Sequence, residues 1–475
     1  MARYVSTRGE APELSFCDVM LTGLARDGGL YVPQAWPKLA PETIAGFFGR
    51  PYWEVAVDII RPFVGGEISD ADLGRMANEA YATFRHPAVV PLRQVGPHQF
   101  LLELFHGPTL AFKDVAMQLL SRLMDHVLEK RGERTTIVVA TSGDTGGAAV
   151  EAFAGLSNVD LIVLFPHGRI SDVQRRMMTT TAAGNVHALA IEGTFDDCQA
   201  IVKAMFNHHA FRDEVSLSGV NSINWARIVA QVVYYFTSAV ALGAPARPVD
   251  FTVPTGNFGD IFAGYVAKRM GLAVRWLRIA ANVNDILPRT LKTGIYEVRE
   301  VHATTSPSMD IQVSSNFERL LFEASGRDAA AIRRLMGSLK QSGRFVLPDA
   351  MLAAIREEFD AGRADETETA AAIRAAWREA GDLVDPHTAV ALAVADRDYP
   401  DSRIPNIVLS TAHAAKFPDA VEAACGVRPP LPAWLDGLMT RQEQLTVMKN
   451  DQGEVERYVK SVSRAAKQAK QGVAG

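Results

Sequence analysis

The stretch Thr136-Ile-Val-Val-Ala-Thr-Ser-Gly-Asp-Thr-Gly-Gly147 joins an apolar, β-branched run to a glycine-rich loop, and a helical pattern follows through Ala154. A second unit of the same kind starts at Val249–Val253, where Gly256-Asn-Phe-Gly259 leads into a helix that ends at Met270. In α/β sheets, ligands bind outside the carboxyl ends of the strands. The two glycine loops are therefore the first candidates for a binding site.

Apolar runs of strand length recur along the chain and alternate with helical segments. The further runs are Leu161–Phe165, Val186–Ile191, Val274–Ala280 and Ile404–Leu409. Strands that are apolar on both faces and separated by helices are typical of parallel α/β sheets. The sequence thus predicts an α/β protein with mainly parallel sheets.

Length and composition limit the possible functions. A chain of 475 residues is too long for one ordinary core, so we expect two or three domains. The net charge of −5 argues against a nucleic-acid partner, which favours a basic surface. The three cysteines lie far apart without metal-ligand spacing, which favours a reducing compartment and no metal site. With no secretory signal and no membrane-spanning stretch, we expect a soluble, cytoplasmic protein.

Two regions have few strand signals. Residues 1–95 contain several Pro and Gly breaks and predict a mainly helical N-terminal unit. Residues from about 316 to 380 are rich in Ala, Arg and Glu and predict a helical insertion.

Lys113 is the first candidate catalytic residue. It lies in His106-Gly-Pro-Thr-Leu-Ala-Phe-Lys-Asp114, an otherwise apolar segment before the amphipathic helix Val115–Leu128. Burial lowers the pKa of a lysine and makes its amine competent to form a Schiff base with an aldehyde cofactor. The alternative is an exposed lysine at the start of a helix.

The glycine loops predict anion sites. In Gly256–Gly259 the glycines allow a phosphate to approach the backbone at the positive end of a helix. Ser142–Gly147 offers backbone N–H groups to an anion such as a carboxylate, although it also fits an ordinary βα turn. The chain contains neither G-x-G nor GxxxxGK[ST], so both common nucleotide fingerprints are absent.

Two polar segments complete the candidate site. Asn221-Ser-Ile-Asn-Trp-Ala-Arg227 combines a guanidinium with amide and hydroxyl donors, a set suited to a second phosphate group. A structural ion pair is the alternative for Arg227. Ser410-Thr-Ala-His413 follows an apolar strand, where its hydroxyls either meet a ligand or cap a helix.

The order of these segments resembles the fold type II pyridoxal-phosphate (PLP) enzymes, and specifically the longer microbial form of threonine synthase. The resemblance covers nearly the whole chain. It rests on the segments above and on Tyr4-Val-Ser-Thr-Arg-Gly9, Arg26-Asp-Gly-Gly-Leu-Tyr-Val-Pro33 and Asp385-Pro-His-Thr-Ala389. The N-terminal signature and the Asn-Ser-Ile-Asn-Trp segment are its most specific parts.

The resemblance implies two open α/β domains. The large, PLP-binding domain would comprise residues 96–130 and 215–475, and a small domain, residues 131–214, would close over the substrate.

The resemblance also implies roles for single residues. Lys113 would hold PLP covalently and later move protons, and Thr411 would face the pyridine nitrogen. Asp144 occupies a place where related enzymes often carry Asn near the 3′-oxygen of PLP, which leaves its role open. The loop that binds the cofactor phosphate would be Gly256, Asn257, Phe258 and Gly259, and the substrate would contact Ser142, Thr145, Asn221, Ser222, Asn224 and Arg227.

The implied reaction converts O-phospho-L-homoserine and water to L-threonine and phosphate, in a monomer or homodimer without nucleic-acid or membrane partners. A PLP-dependent phospho-lyase or a threonine/serine dehydratase would eliminate without adding water. Arg227, Asn221 and Ser222 favour a phosphorylated substrate over a plain dehydratase. A non-catalytic relative that binds PLP or a phosphorylated metabolite is the third alternative, but binding alone does not require Lys113.

Overall fold

The computed structural model describes residues 2–397 and 403–473. Its strands are β1 (Tyr4–Ser6), β2 (Tyr31–Pro33), β3 (Leu92–Gln94), β4 (Gln99–Glu103), β5 (Thr135–Ala140), β6 (Val159–Pro166), β7 (Val186–Glu192), β8 (Leu217–Ser218), β9 (Val249–Pro254), β10 (Val274–Ala281), β11 (Ile295–Glu297), β12 (Arg344–Val346), β13 (Phe359–Arg363), β14 (Asn406–Ser410) and β15 (Thr446–Lys449).

The α-helices are α1 (Phe16–Thr22), α2 (Pro41–Ala45), α3 (Tyr52–Val64), α4 (Asp70–Tyr81), α5 (Lys113–Arg131), α6 (Asp144–Phe153), α7 (Asp172–Thr179), α8 (Phe195–Asn207), α9 (His209–Glu214), α10 (Trp225–Ala241), α11 (Gly259–Met270), α12 (Ile286–Thr293), α13 (Phe317–Ala324), α14 (Ala329–Ser342), α15 (Asp349–Arg356), α16 (Glu366–Ala375), α17 (Pro386–Arg397), α18 (Pro418–Cys425), α19 (Gln452–Val462) and α20 (Arg464–Val473).

Two open sheets form the centre of the molecule. The large sheet has the order β13-β10-β9-β14-β4-β3, and its strands are parallel except for the antiparallel β3–β4 pair. The smaller sheet has the order β15-β7-β6-β5-β8 and is parallel throughout. Strands β5, β6, β9 and β14 are buried along their full length, because helices cover both faces of each sheet. The predicted α/β class is confirmed.

Residues 2–81 contain helices α1 to α4 and the short strands β1 and β2. Ser15 and Ser69 cap α1 and α4 with their side-chain oxygens. Strands β1 and β2 pair with each other, and the N-terminal signature fastens this unit to α13. There Thr7 donates to Glu318 at 2.6 Å, and Arg8 pairs with the same carboxylate at 2.9 Å.

Strand membership differs from the expected division in three places. Strand β8, which follows residue 215, belongs to the smaller sheet and pairs with β5. Strand β15 belongs to the smaller sheet, and Val455 and Val459 of α19 pack in its core with Ile162 and Leu189. The chain therefore returns to the smaller sheet near residue 446, whereas the expected division places residues 215–475 in the large domain. The helical stretch 316–380 also contains β12 and β13, and β13 forms an edge of the large sheet.

Within the described ranges, no helix combines the length and the apolar character needed to cross a membrane.

Candidate active site

The backbone holds Lys113 beside the carboxyl end of β14. Helix α5 begins at Lys113, and the preceding residue, Phe112, donates its backbone N–H to the Thr411 carbonyl at 2.8 Å. His413 in turn donates to the Leu110 carbonyl at 3.0 Å. These two bonds bring the predicted hydroxyl residue Thr411 and the predicted amine Lys113 to the same place.

Lys113 is a buried lysine, not an exposed charge. Its side chain is 11% exposed, and its Nζ lies 3.6 Å from Asp144 Oδ2. Burial lowers the Lys113 pKa to about 8, with Lys416 and Arg227 adding to the effect and Asp144 opposing it. A substantial fraction of the amine is therefore neutral near physiological pH and able to act as a nucleophile or a base.

Asp144 lies at the start of α6 and is surrounded by donors. Its Oδ1 lies 2.7 Å from Lys416 Nζ and accepts from Gln174 Nε2 at 2.9 Å. Burial alone would raise the Asp144 pKa, but the two lysines and Gln174 hold that pKa well below its usual range. Asp144 is consequently an ionised carboxylate whose charge is balanced inside the protein.

The glycine loop before α11 presents unused backbone donors. Within the described part of the chain, the N–H groups of residues 256–259 have no hydrogen-bond acceptor, and these residues lead directly into the N-terminus of α11. Phe258 adopts a left-handed backbone conformation with φ of +63°. Free N–H groups at the positive end of a helix form an anion site. By contrast, Thr141 Oγ1 accepts two N–H groups of the Ser142–Gly147 loop, those of Gly143 and Gly146.

Residues 306–316 fasten this loop from the other side. A Cβ built on Gly256 would lie 2.6 Å from the Ser308 carbonyl oxygen, so glycine is required by a close backbone approach. Ser308 Oγ lies 3.5 Å from Asp144 Oδ2. Asn316 Nδ2 donates to the carbonyls of Asn257 at 3.0 Å and Ser222 at 3.2 Å. The Gly256–Gly259 loop, the segment from Asn221 to Arg227 and the surroundings of Lys113 are thus connected through residues 306–316.

Arg227 is a buried guanidinium with spare donors. It is 2% exposed, and burial lowers its pKa to about 10. Its Nη1 donates to the Val220 carbonyl at 3.2 Å, while its Nε has no acceptor. In the described ranges no carboxylate pairs with Arg227, so the structural ion pair considered above is not formed. A buried guanidinium in this state is poised to bind an anion.

The other residues of this segment fall into two groups. Asn221 has a buried side-chain oxygen without a partner, and its amide can turn to present its donors. Ser222 is half-buried beside the Asn316 contact. Asn224 instead caps α10 and donates to the carbonyls of Met20 and Gly219 at 2.9 and 3.0 Å. Because its donors are used within the protein, we assign Asn224 to the scaffold and not to the substrate.

Sequence reasoning missed several residues at this site. Lys416 lies three residues after the Ser410-Thr-Ala-His413 segment and, like Lys113, in an otherwise apolar run beside a strand. Ser308, Asn316 and Gln174 lie in segments without a recognisable pattern. His387 and Asp385 were noted only as part of a motif. His387 Nδ1 lies 2.6 Å from Asp385 Oδ2, while its Nε2 accepts from the Ser308 N–H at 3.2 Å, which fixes the Ser308 loop.

The residues present fit a phosphorylated aldehyde cofactor. Lys113 supplies a buried amine for the aldehyde, and the free N–H groups of residues 256–259 supply the phosphate site. Arg227, whose buried Nε has no acceptor, would offer a separate donor to a second negative group. These features are what PLP and a phosphorylated substrate require.

The close approach at Gly256 gives a testable prediction. Gly256→Val places a branched side chain against the Ser308 carbonyl, and overpacking of this kind costs about 1–3 kcal/mol. We expect PLP affinity, measured by titration, to fall at least about fivefold while Lys113 stays intact. Gly337→Val is the matched control, because nothing lies within 4 Å of a Cβ there. Unchanged affinity in a folded Gly256→Val protein would place the phosphate at the Ser142–Gly147 loop instead.

Comparison with known proteins agrees with this reading. Residues 3–81 match the family model "Threonine synthase N terminus", residues 88–409 "Pyridoxal-phosphate dependent enzyme", and residues 388–459 "Threonine synthase, C-terminal". A threonine synthase of Pseudomonas aeruginosa is 52% identical over 458 residues, covering 96% of this chain and 98% of that protein.

Two solved structures share the whole architecture. The crystal structure of PLP-bound threonine synthase from Brucella melitensis is 63% identical, with a TM-score of 0.95 and coverage of 98% of this chain and 100% of that one. Yeast threonine synthase is 39% identical, with a TM-score of 0.91 and coverage of 97% and 98%. Together with the buried amine and the two anion sites, these matches show that the chain belongs to the threonine synthase family of PLP-dependent enzymes.

Proposed function

We propose that this chain converts O-phospho-L-homoserine and water to L-threonine and phosphate with PLP as cofactor. The observation that carries the proposal is that two buried groups occur at the same site: the amine of Lys113 and the guanidinium of Arg227, which has no carboxylate partner in the described ranges. The two are close enough for the charge of Arg227 to lower the Lys113 pKa. An amine for the cofactor and a neighbouring guanidinium for a second phosphate are what this substrate requires.

Lys113 carries the proton transfers. PLP, when bound, supplies an electron sink for the negative charge that develops at the substrate α carbon. Lys113 Nζ removes the α-proton and, being mobile, reaches the neighbouring carbons on the same face of the substrate. Its lowered pKa lets it accept and return protons near neutral pH. Lys113 also takes a proton from the β carbon, and the γ-phosphate leaves with the electron pair of its C–O bond. The γ carbon then gains a proton, water gives its hydroxyl group to the β carbon and its other proton to the phosphate, and the α carbon regains a proton, so that threonine is the product.

The remaining residues hold the substrate and the cofactor. Arg227, Asn221 and Ser222 bind the substrate phosphate, and Ser142 and Thr145 at the start of α6 bind its carboxylate. The N–H groups of Gly256, Asn257, Phe258 and Gly259 bind the cofactor phosphate, and the Thr411 hydroxyl faces the pyridine nitrogen. These assignments are supported by the free donors at α11 and by the half-buried positions of Ser142 and Thr145.

Movement of the smaller unit, residues 131–214, over the substrate would exclude bulk water during the reaction. This unit carries α6 and therefore Asp144, so its approach also sets the distance between Asp144 and Lys113.

We further propose a cytoplasmic enzyme that is a monomer or a homodimer. Cys17, Cys198 and Cys425 are unpaired, which is the usual state in a reducing compartment. Size-exclusion chromatography with light scattering separates the two oligomeric states.

A substrate comparison tests the proposed function. The purified enzyme with PLP should release phosphate from O-phospho-L-homoserine and should form little 2-oxo acid from L-serine or L-threonine. We favour an enzyme that acts on a phosphate ester, because Arg227 Nε has no hydrogen-bond acceptor and can donate to a phosphate. Rapid deamination of serine or threonine without use of the phosphate ester would instead identify a dehydratase. Absence of turnover on all three, with PLP bound, would identify a non-catalytic relative.

A further inference from the structure

A second lysine, Lys416, is fully buried at the candidate active site. Its side chain is 0% exposed, and its Nζ lies 2.7 Å from Asp144 Oδ1. The same Nζ donates to the Thr109 carbonyl at 2.8 Å. Lys416 lies in the short turn Ala414–Lys416 that follows β14, so it enters the site from the same strand end as Thr411.

Asp144 stands between two amines. In the described ranges it is the one carboxylate within 4 Å of either Lys113 or Lys416. The two contacts are unequal, because Lys416 lies at 2.7 Å from Asp144 and Lys113 at 3.6 Å. A buried ammonium group is stabilised by a close, hydrogen-bonded counter-charge and is costly without one. Asp144 therefore forms its closer ion pair with Lys416. Lys113, with the longer contact, is the amine that loses its proton more easily.

We propose that Lys416 is a positioning residue for Lys113: by holding Asp144 in an ion pair, it prevents that carboxylate from capturing the Lys113 amine. Lys113 then remains free to take up the cofactor aldehyde and to accept a proton. This inference rests on the proposed role of Lys113 in the reaction.

The direction of each variant's effect follows from the charges that face Lys113, which are Asp144, Lys416 and Arg227. Lys416→Met removes a neighbouring positive charge and releases Asp144 to pair with Lys113, so both changes raise the Lys113 pKa. Asp144→Asn removes the attracting carboxylate and leaves Lys416 positive, so the Lys113 pKa falls. The double variant removes both charges and lies between the two single variants.

The rate at which the cofactor-free full-length protein captures PLP, measured by visible absorbance across pH, reports the neutral fraction of Lys113. In the wild type we expect the rate to rise with pH and to level off above about pH 8, in line with the lowered Lys113 pKa. In Lys416→Met the midpoint should move to higher pH by about one unit or more. In Asp144→Asn it should move to lower pH, and in the double variant it should return toward the wild-type value.

Lys268→Met is the matched control, since Lys268 also pairs with a carboxylate, Glu358, but away from this site. Its midpoint should equal that of the wild type. An unchanged midpoint in both single variants, or shifts of the same sign, would overturn the role of Lys416. If Lys416→Met does not fold, the double variant still tests the role of Lys416, because its midpoint should lie above that of Asp144→Asn, and equal midpoints in these two variants would overturn that role. A wild-type protein that captures no PLP at any pH would refute the proposed function itself, a different outcome from unshifted midpoints.

Discussion

Lys113→Ala should lower turnover of O-phospho-L-homoserine by several orders of magnitude. The variant lacks the amine that binds the cofactor aldehyde and the base that removes the α-proton, and acid–base catalysis alone contributes about 10²–10⁴-fold. The side chain lies 3.6 Å from Asp144 in a buried site, and among residues 2–397 and 403–473 Lys416 is the one other lysine that pairs with that carboxylate. Steady-state kinetics with saturating PLP measures the loss.

Lys416 could in principle substitute for the missing amine, and its ion pair with Asp144 argues that it does not. Borohydride reduction of the wild-type enzyme with PLP, followed by peptide mass spectrometry, should find the cofactor on the peptide that contains Lys113. In Lys113→Ala the same treatment should leave no cofactor attached. A variant that kept even a tenth of the wild-type turnover would show that Lys113 is not the catalytic amine.

Arg227→Ala should have the second largest effect. Losing one charge-assisted contact to a phosphate costs about 1.5–3 kcal/mol. The kcat/KM of Arg227→Lys should therefore be roughly ten- to two-hundred-fold lower than that of the wild type. Lysine keeps the charge but not the planar fork that pairs with phosphate at two points. Arg227→Ala should be worse, while PLP should stay bound because the proposed site of the cofactor phosphate is at residues 256–259. Kinetics and PLP titration, run on both variants, separate these effects.

Stability gives an independent test of the same residue. Arg227 is buried with an unpartnered Nε, so Arg227→Met should raise the melting temperature while it lowers activity. Arg319 is the matched control, because it is also fully buried but donates to the carbonyls of Tyr31 and Ile223 at 3.1 and 2.7 Å. Arg319→Met should lower the melting temperature. Wild-type kinetics in Arg227→Ala would make Arg227 a structural residue after all.

The main features of the fold follow from the sequence because they are local. Strands such as β5 and β9 are continuous apolar runs followed at once by glycine loops, so period, composition and turn signals agree. Strand β15 carries exposed residues and pairs with β7 across more than 250 positions, so no local pattern could assign it to the smaller sheet. Strand β13, Phe359–Arg363, ends in Gly-Arg and lies between helices, so its local sequence does not predict a strand.

The residues of the site also fall into those that the local sequence identifies and those that only long-range contacts identify. Lys113 and Gly256 stand in segments whose local chemistry already indicates a function. In the structure Lys113 lies 3.6 Å from Asp144, and Gly256 packs against Ser308, which contacts the same carboxylate. Asn224 is an amide that could have donated to a ligand. Its bonds to the carbonyls of Met20 and Gly219 depend on how α1 packs against α10, which the local sequence does not show. Lys416 is recognisable only when Asp144 is seen beside it, because charge pairing between residues 272 positions apart leaves no trace in a single sequence.

The most direct test of the account is to follow the products of the wild-type enzyme by proton and phosphorus NMR. With PLP and O-phospho-L-homoserine, the account predicts L-threonine and inorganic phosphate in equal amounts, because the phosphate held at Arg227 leaves and water is added at the β carbon. 2-Oxobutanoate as the main product, with phosphate released but little threonine, would contradict the account and show an elimination enzyme that does not add water.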